Sequence, residues 1–122
     1  MAHRLISPSA VRGLTAGGAV LAAVAVALSA YAAHVTDGEA QSRLQLAALF
    51  GFGHGVALAA LAPQAVRRLG LVALAALLIG VLLFAGSLTA AYFLGTSTRF
   101  LPFGGGLMIL AWLLYAADAV RR

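Results

Sequence analysis

The stretch at 69–94, LGLVALAALLIGVLLFAGSLTAAYFL, decides the fold. It contains no charged residue across 26 positions. A helix needs about 20 apolar residues to cross the hydrocarbon core of a bilayer. This run exceeds that length, and its excess is absorbed by tilt. Its hydroxyls, Ser87 and Thr89, sit late in the run, where a helix lets them bond back to its own backbone.

Working outward, three further apolar runs appear at 13–33, 44–62 and 102–117. The second is interrupted by Gln45 and His54. The fourth is short, and Phe100 and Leu101 extend its buried length. Between the runs lie short polar segments. The segment 34–43 holds Asp37, Gly38 and Glu39. The segment 63–68 starts with Pro63, expected to end the preceding helix, and 95–99 holds Thr96, Ser97 and Thr98, expected to cap the next one. Pro102 suits a first helical turn. Short connections imply antiparallel neighbours, so the expected fold is all-α: one transmembrane domain over 1–122, an up-down four-helix bundle.

Composition agrees. Of 122 residues, 63% are hydrophobic and 9% charged, with a mean hydropathy of +1.03. A soluble domain keeps about a quarter of its residues charged. There is no cysteine, which excludes disulfide and thiolate chemistry. The net charge is +5, but the arginines stand at the ends of apolar runs, with no basic face or aromatic platform for nucleic acid. They read as orienting charges attracted to headgroups of the lipid bilayer. Arg4, Arg12, Arg67, Arg68, Arg121 and Arg122 fall on one side. Arg43 and Arg99 fall on the other, offset by Asp37 and Glu39. This bias predicts cytoplasmic termini. Arginine as the sole strong base, with abundant alanine and glycine, is the habit of a GC-rich bacterium, so the expected location is the bacterial inner membrane. The first run could pass for a signal peptide ending at Ala30-Tyr31-Ala32. It is longer than the usual apolar stretch of a signal, so cleavage is disfavoured. A loose echo links Leu28-Ser29-Ala30-Tyr31-Ala32-Ala33 to Leu88-Thr89-Ala90-Ala91-Tyr92-Phe93, as a parallel duplication would leave.

The polar residues inside the spans carry what functional signal there is. His54 lies about 15 Å into the second span, where an ionisable group is a functional candidate by default. Gly51 and Gly55 flank it at a spacing that allows close helix approach. Two readings stay open: an interhelical hydrogen bond at a tight crossing, which is favoured, or a proton relay, cofactor ligand or substrate contact. His34 lies at the outer end of the first span, too far in depth to share a metal with His54. No further ligand completes a shell of about four, so neither a metal nor a cofactor is expected. Ser87, beside Gly86, suggests close packing in the third span. Gly104 and Gly105, with Gly106, follow Pro102 and lower helix stability by about 1 kcal/mol each relative to alanine unless another helix packs on them. The GK[ST] of a phosphate loop is absent. Trp112 and Tyr115 suit an interfacial belt. Asp118 is spaced to pair locally with Arg121 and Arg122.

The order of these residues resembles a known family. It comprises His34 ending the first span, His54 in the second, Leu83-Phe84-Ala85-Gly86-Ser87-Leu88 in the third, then Pro102-Phe103-Gly104-Gly105 and Trp112 in the fourth. This is similar to the small membrane proteins grouped as domain of unknown function 423, which include YgdD-like and transmembrane-protein-256-like members. The resemblance covers about 13–117 and implies four spans without an assigned reaction. The chain departs from the pattern in two places. Ser29-Ala30-Tyr31-Ala32-Ala33-His34 replaces GAFGAH, and Phe50-Gly51 stands where Tyr-Gln precedes the second histidine.

No complete catalytic motif is present. The expected role is structural or accessory: a protein that packs with itself, as a homo-oligomer, or with a larger membrane complex. A small-solute or ion transporter or channel is the alternative, although small four-span drug exporters use an acid in their first span and this one has none. A redox or lipid-modifying enzyme using His54 stands third, for want of a second catalytic group.

Overall fold

The structure is a computed structural model, and it describes residues 6–121. Four helices account for nearly all of it: α1 (Pro8–Val35), α2 (Gly38–Leu61), α3 (Arg68–Leu94) and α4 (Leu101–Arg121). A 3-10 turn, Ala62–Gln64, extends α2. All four are long and apolar enough to cross a membrane, and no strand occurs among the described residues. The protein is a multi-pass membrane four-helix bundle.

The helices outrun the apolar spans because polar residues at the membrane surface continue them. Ser7 caps α1, its hydroxyl accepting from the Ala10 N–H at 3.2 Å, with Pro8 at the first helical position. The segment expected as a polar turn at 34–43 is mostly helix. Gly38 takes a left-handed φ of 59°, and α2 starts there, with an exposed ion pair between Glu39 and Arg43 one turn apart. Gly95 ends α3 at φ 67°, where a side chain would be strained. Pro63 does not end α2 abruptly; the chain tightens into the 3-10 turn around it. In the last connection the Ser97 hydroxyl accepts from the Arg99 N–H at 3.1 Å, and the Thr98 carbonyl from the Leu101 N–H at 3.0 Å.

Consecutive helices pack most closely. α1 lies along α2, α3 along α4, and α2 against α3, while α1 and α4 make no extended contact. Burial follows that order. α1 buries a narrow seam, Leu14, Gly18, Ala25 and Ala32, whereas α3 buries a broad one from Gly70 to Leu88. Leu58, Leu74, Leu77 and Val81 are fully enclosed within one apolar cluster, and Leu44 is fully buried apart from it. Large apolar side chains such as Val24, Leu49, Ile79 and Ile109 point outward, as they must when the surroundings are lipid.

Each hairpin closes on a reciprocal glycine pair. A methyl group at Gly18 would lie 2.7 Å from the Gly55 carbonyl oxygen, and one at Gly55 would lie 2.6 Å from the Gly18 carbonyl oxygen. In the second hairpin, a methyl at Gly104 would lie 2.8 Å from the Gly80 carbonyl oxygen and 2.5 Å from the Phe84 nitrogen. Contact this close gives van der Waals packing that lipid cannot match.

Candidate functional site

His54 lies on α2 within its apolar part, half-buried, and turns toward α4. Both ring nitrogens are engaged. Nδ1 is 2.8 Å from the Phe50 carbonyl oxygen, and Nε2 is 3.1 Å from the Trp112 indole nitrogen. A carbonyl only accepts and an indole N–H only donates. These partners suit the tautomer with the proton on Nδ1 and the lone pair on Nε2. The Phe50 ring stacks on the imidazole with centroids 5.7 Å apart and planes 11° apart. Phe84 of α3 packs on Phe50 at 4.8 Å, and Tyr115 meets Trp112 edge-on at 6.1 Å. A ladder of rings thus links α3, α2 and α4, with one polar bond inside it.

Trp112 is not the belt residue that its place near the end of an apolar run suggested. α4 continues to Arg121, so Trp112 lies near the helix middle and its N–H is used on His54. Residues that carry the family resemblance meet here, His54 with Trp112 and Phe84 with Gly104, and Phe50, at a position where the chain departs from the family pattern, packs on Phe84.

The glycines flanking His54 belong to a different face. Gly51 and Gly55 turn to α1, where a methyl at Gly51 would lie 3.3 Å from the Ala25 methyl. One tight crossing containing His54, Gly51 and Gly55 is therefore corrected to two contacts: glycines on α1, histidine on α4. The helical turn separates them, since neighbours in sequence point 100° apart. Gly53 faces open space.

His34 is exposed in the last turn of α1, far from His54 along the bundle. Ser87 is half-buried and lines a shallow cavity with Gly86, Thr96, Ser97 and Arg99. Thr89 bonds back to the Ala85 carbonyl at 2.8 Å, as the sequence implied. Gly104 is a packing position, whereas a methyl at Gly105 would meet the Phe84 ring at an ordinary 3.8 Å.

Two polar constellations escape sequence reading. At the end of the bundle away from the chain termini, α2 stitches itself to α1. The Ser29 hydroxyl donates to Gln45 Oε1 at 2.7 Å, and Gln45 Nε2 donates to the Ser29 carbonyl at 3.1 Å. One turn earlier, Gln41 Nε2 donates to the carbonyls of Ala32 and Thr36 at the end of α1. The i, i+4 glutamines were the available signal.

The second lies at the other end. Asp118 is 1% exposed, so it lies inside the bundle and not at the membrane surface; the pairing expected with Arg122 falls outside the described residues. Its Oδ1 lies 3.6 Å from Arg67 Nε, and its carbonyl oxygen accepts from Arg67 Nη2 at 3.1 Å. The carboxylate sits against Gly70, where a methyl would lie 2.7 Å from Oδ2. Gly70 is in the first turn of α3, so the anion also meets that helix's positive end. The signal was Asp118 as the sole acid of the second hairpin, opposite an Arg-Arg-Leu-Gly start.

No curated protein and no solved structure matches the chain. A family model, described as protein of unknown function (DUF423), matches residues 28–116. That span includes the His54–Trp112 bridge, both stitching glutamines, and the Gly80–Gly104 crossing. It begins after Gly18. By this match over most of its length, the chain belongs to the family of proteins of unknown function DUF423.

Proposed function

We propose that the protein is a structural or accessory component of the bacterial inner membrane, with both termini cytoplasmic, that acts by packing with itself or with a larger membrane complex. The observation that carries this reading is the double engagement of His54. A relay or ligand histidine needs a ring nitrogen turned to its substrate, and here Phe50 and Trp112 take both. Other polar groups within the spans are also engaged inside the bundle. Thr89 bonds to its own helix, and Ser29 and Gln45 satisfy each other across α1 and α2. Hydrogen bonds between helices, as in the Ser29–Gln45 pair, act as glue.

Packing onto other helices is supported by the outer pair. α1 and α4 bury only narrow seams and are not closed on each other. Small exposed residues on α1, among them Ala19, Ala23, Ala27 and Ala30, leave its backbone open to close approach. Native mass spectrometry of the protein released from mild detergent tests the reading. A discrete oligomer or a stoichiometric partner is expected. A bare monomer at every concentration, with no partner co-purifying, overturns it.

A further inference from the structure

At the Asp118 end of the second hairpin there is a cavity of about 260 Å³ lined by Arg67, Arg68, Leu69, Asp118 and Arg121. Among the described residues that line it, three arginines and one carboxylate leave a formal charge of +2 (three minus one). The carboxylate does not present its charge to the opening, because Asp118 is buried and braces Arg67 through both its side chain and its backbone carbonyl. That brace fixes one guanidinium at the cavity wall before any ligand arrives. The first turn of α3 adds its own positive end, since Arg68 and Leu69 open that helix. Guanidinium groups recognise phosphate oxygens in a planar, two-pronged geometry.

The surroundings are apolar. Leu69 lines the cavity itself. Val72 lies one turn deeper on the face of Arg68 and is 57% exposed, and Val120, beside Arg121, is 85% exposed. A ligand that seats a phosphate among the arginines therefore lays its remaining bulk on valine and leucine at the level where the helices enter the membrane. The geometry points to a binding site for the phosphate headgroup of an anionic phospholipid, with its acyl chains along the outer faces of α3 and α4. This requires only that the chain spans a membrane. It stands whether or not the protein is an accessory subunit, and whichever side the termini face.

The test is native mass spectrometry of the full chain in detergent with added phosphatidylglycerol, phosphatidylcholine or inorganic phosphate. The natural sequence is compared with R68Q/R121Q and with R12Q/R99Q, which loses the same charge elsewhere. Both variants keep Arg67 and Asp118. Phosphatidylglycerol is expected to bind the natural chain in preference to phosphatidylcholine. R68Q/R121Q is expected to weaken this by about thirtyfold, from about fivefold for each arginine beside an anionic headgroup. R12Q/R99Q should bind as the natural chain does. Equal loss in both variants, equal binding of phosphatidylcholine, or saturation by inorganic phosphate that excludes the lipid would each overturn the site. Retained helicity by circular dichroism in R68Q/R121Q separates a lost site from a lost fold.

Discussion

At the scale of single residues, glycines of similar appearance in the sequence have opposite roles. Gly18 and Gly55 face each other's backbones, while Gly53 and Gly106 face nothing. Replacing Gly18 or Gly55 by alanine forces the α1 and α2 backbones apart and is expected to destabilise by about 1–3 kcal/mol, the usual range for overpacking. Gly53→Ala and Gly106→Ala are expected to be neutral or to stabilise by up to about 1 kcal/mol, from helix propensity alone. Unfolding in mixed detergent ranks the four; a ranking in which Gly53→Ala is as damaging as Gly55→Ala contradicts the assignment of faces. His54 and Trp112 form the other single-residue case. Their hydrogen bond crosses two helices, so a double-mutant cycle of His54→Phe and Trp112→Phe should give a coupling of about 0.6 kcal/mol, the average for such bonds in a membrane protein. His54→Ala should lower stability more than His34→Ala, because His34 is exposed at a helix end. Zero coupling together with equal tolerance of both alanines would mean that the bridge holds nothing.

At the scale of helices and their joints, α3 and α4 are keyed by more than glycine. The Asp118 carboxylate occupies the space that a side chain at Gly70 would fill. Gly70→Ala should therefore destabilise by about 1–3 kcal/mol, and Asp118→Ala should do so by a similar amount, because Arg67 is one-third exposed and water compensates part of its loss. The pair Gly70→Ala/Asp118→Ala should cost less than the sum, since the shortened side chain makes room for the added methyl. Strict additivity in thermal unfolding would separate the two positions. This joint also marks where sequence reading stops. The four spans were legible because length and hydropathy alone decide them. His54 was legible as a polar residue in an apolar run, and the glycines as small residues at helical spacing. Partners were not. Spacing shows what lies three or four residues away along one helix, so for Asp118 it offers Arg121 and Arg122 and has no means of showing Arg67, 51 residues distant, which the structure brings to it. Arg122, like Arg4, lies outside the described residues. The rotation of each helix about its axis decides whether Gly55 and His54 share a neighbour, and an alanine-rich helix with apolar residues all round leaves that rotation unmarked.

At the scale of the whole molecule, the described arginines divide by end. Arg12, Arg67, Arg68 and Arg121 lie with the chain termini, and Arg43 and Arg99 lie at the opposite end, where Glu39 offsets the first of them. Reporter fusions at either end are expected to report the cytoplasm, and moving the excess by R67Q/R68Q with added outer arginines is expected to yield mixed topologies. A terminal fusion active only outside the cytoplasm refutes the orientation. The two hairpins, each closed on its own glycine pair, meet through α2 and α3 and through the His54–Trp112 bridge. Trp112 is the chain's single tryptophan. Its indole N–H is held by the one imidazole that ties the first hairpin to the fourth helix. The protein thus carries its own optical gauge: emission from one unlabelled fluorophore reports whether the two halves are docked, in detergent, vesicle or intact membrane alike.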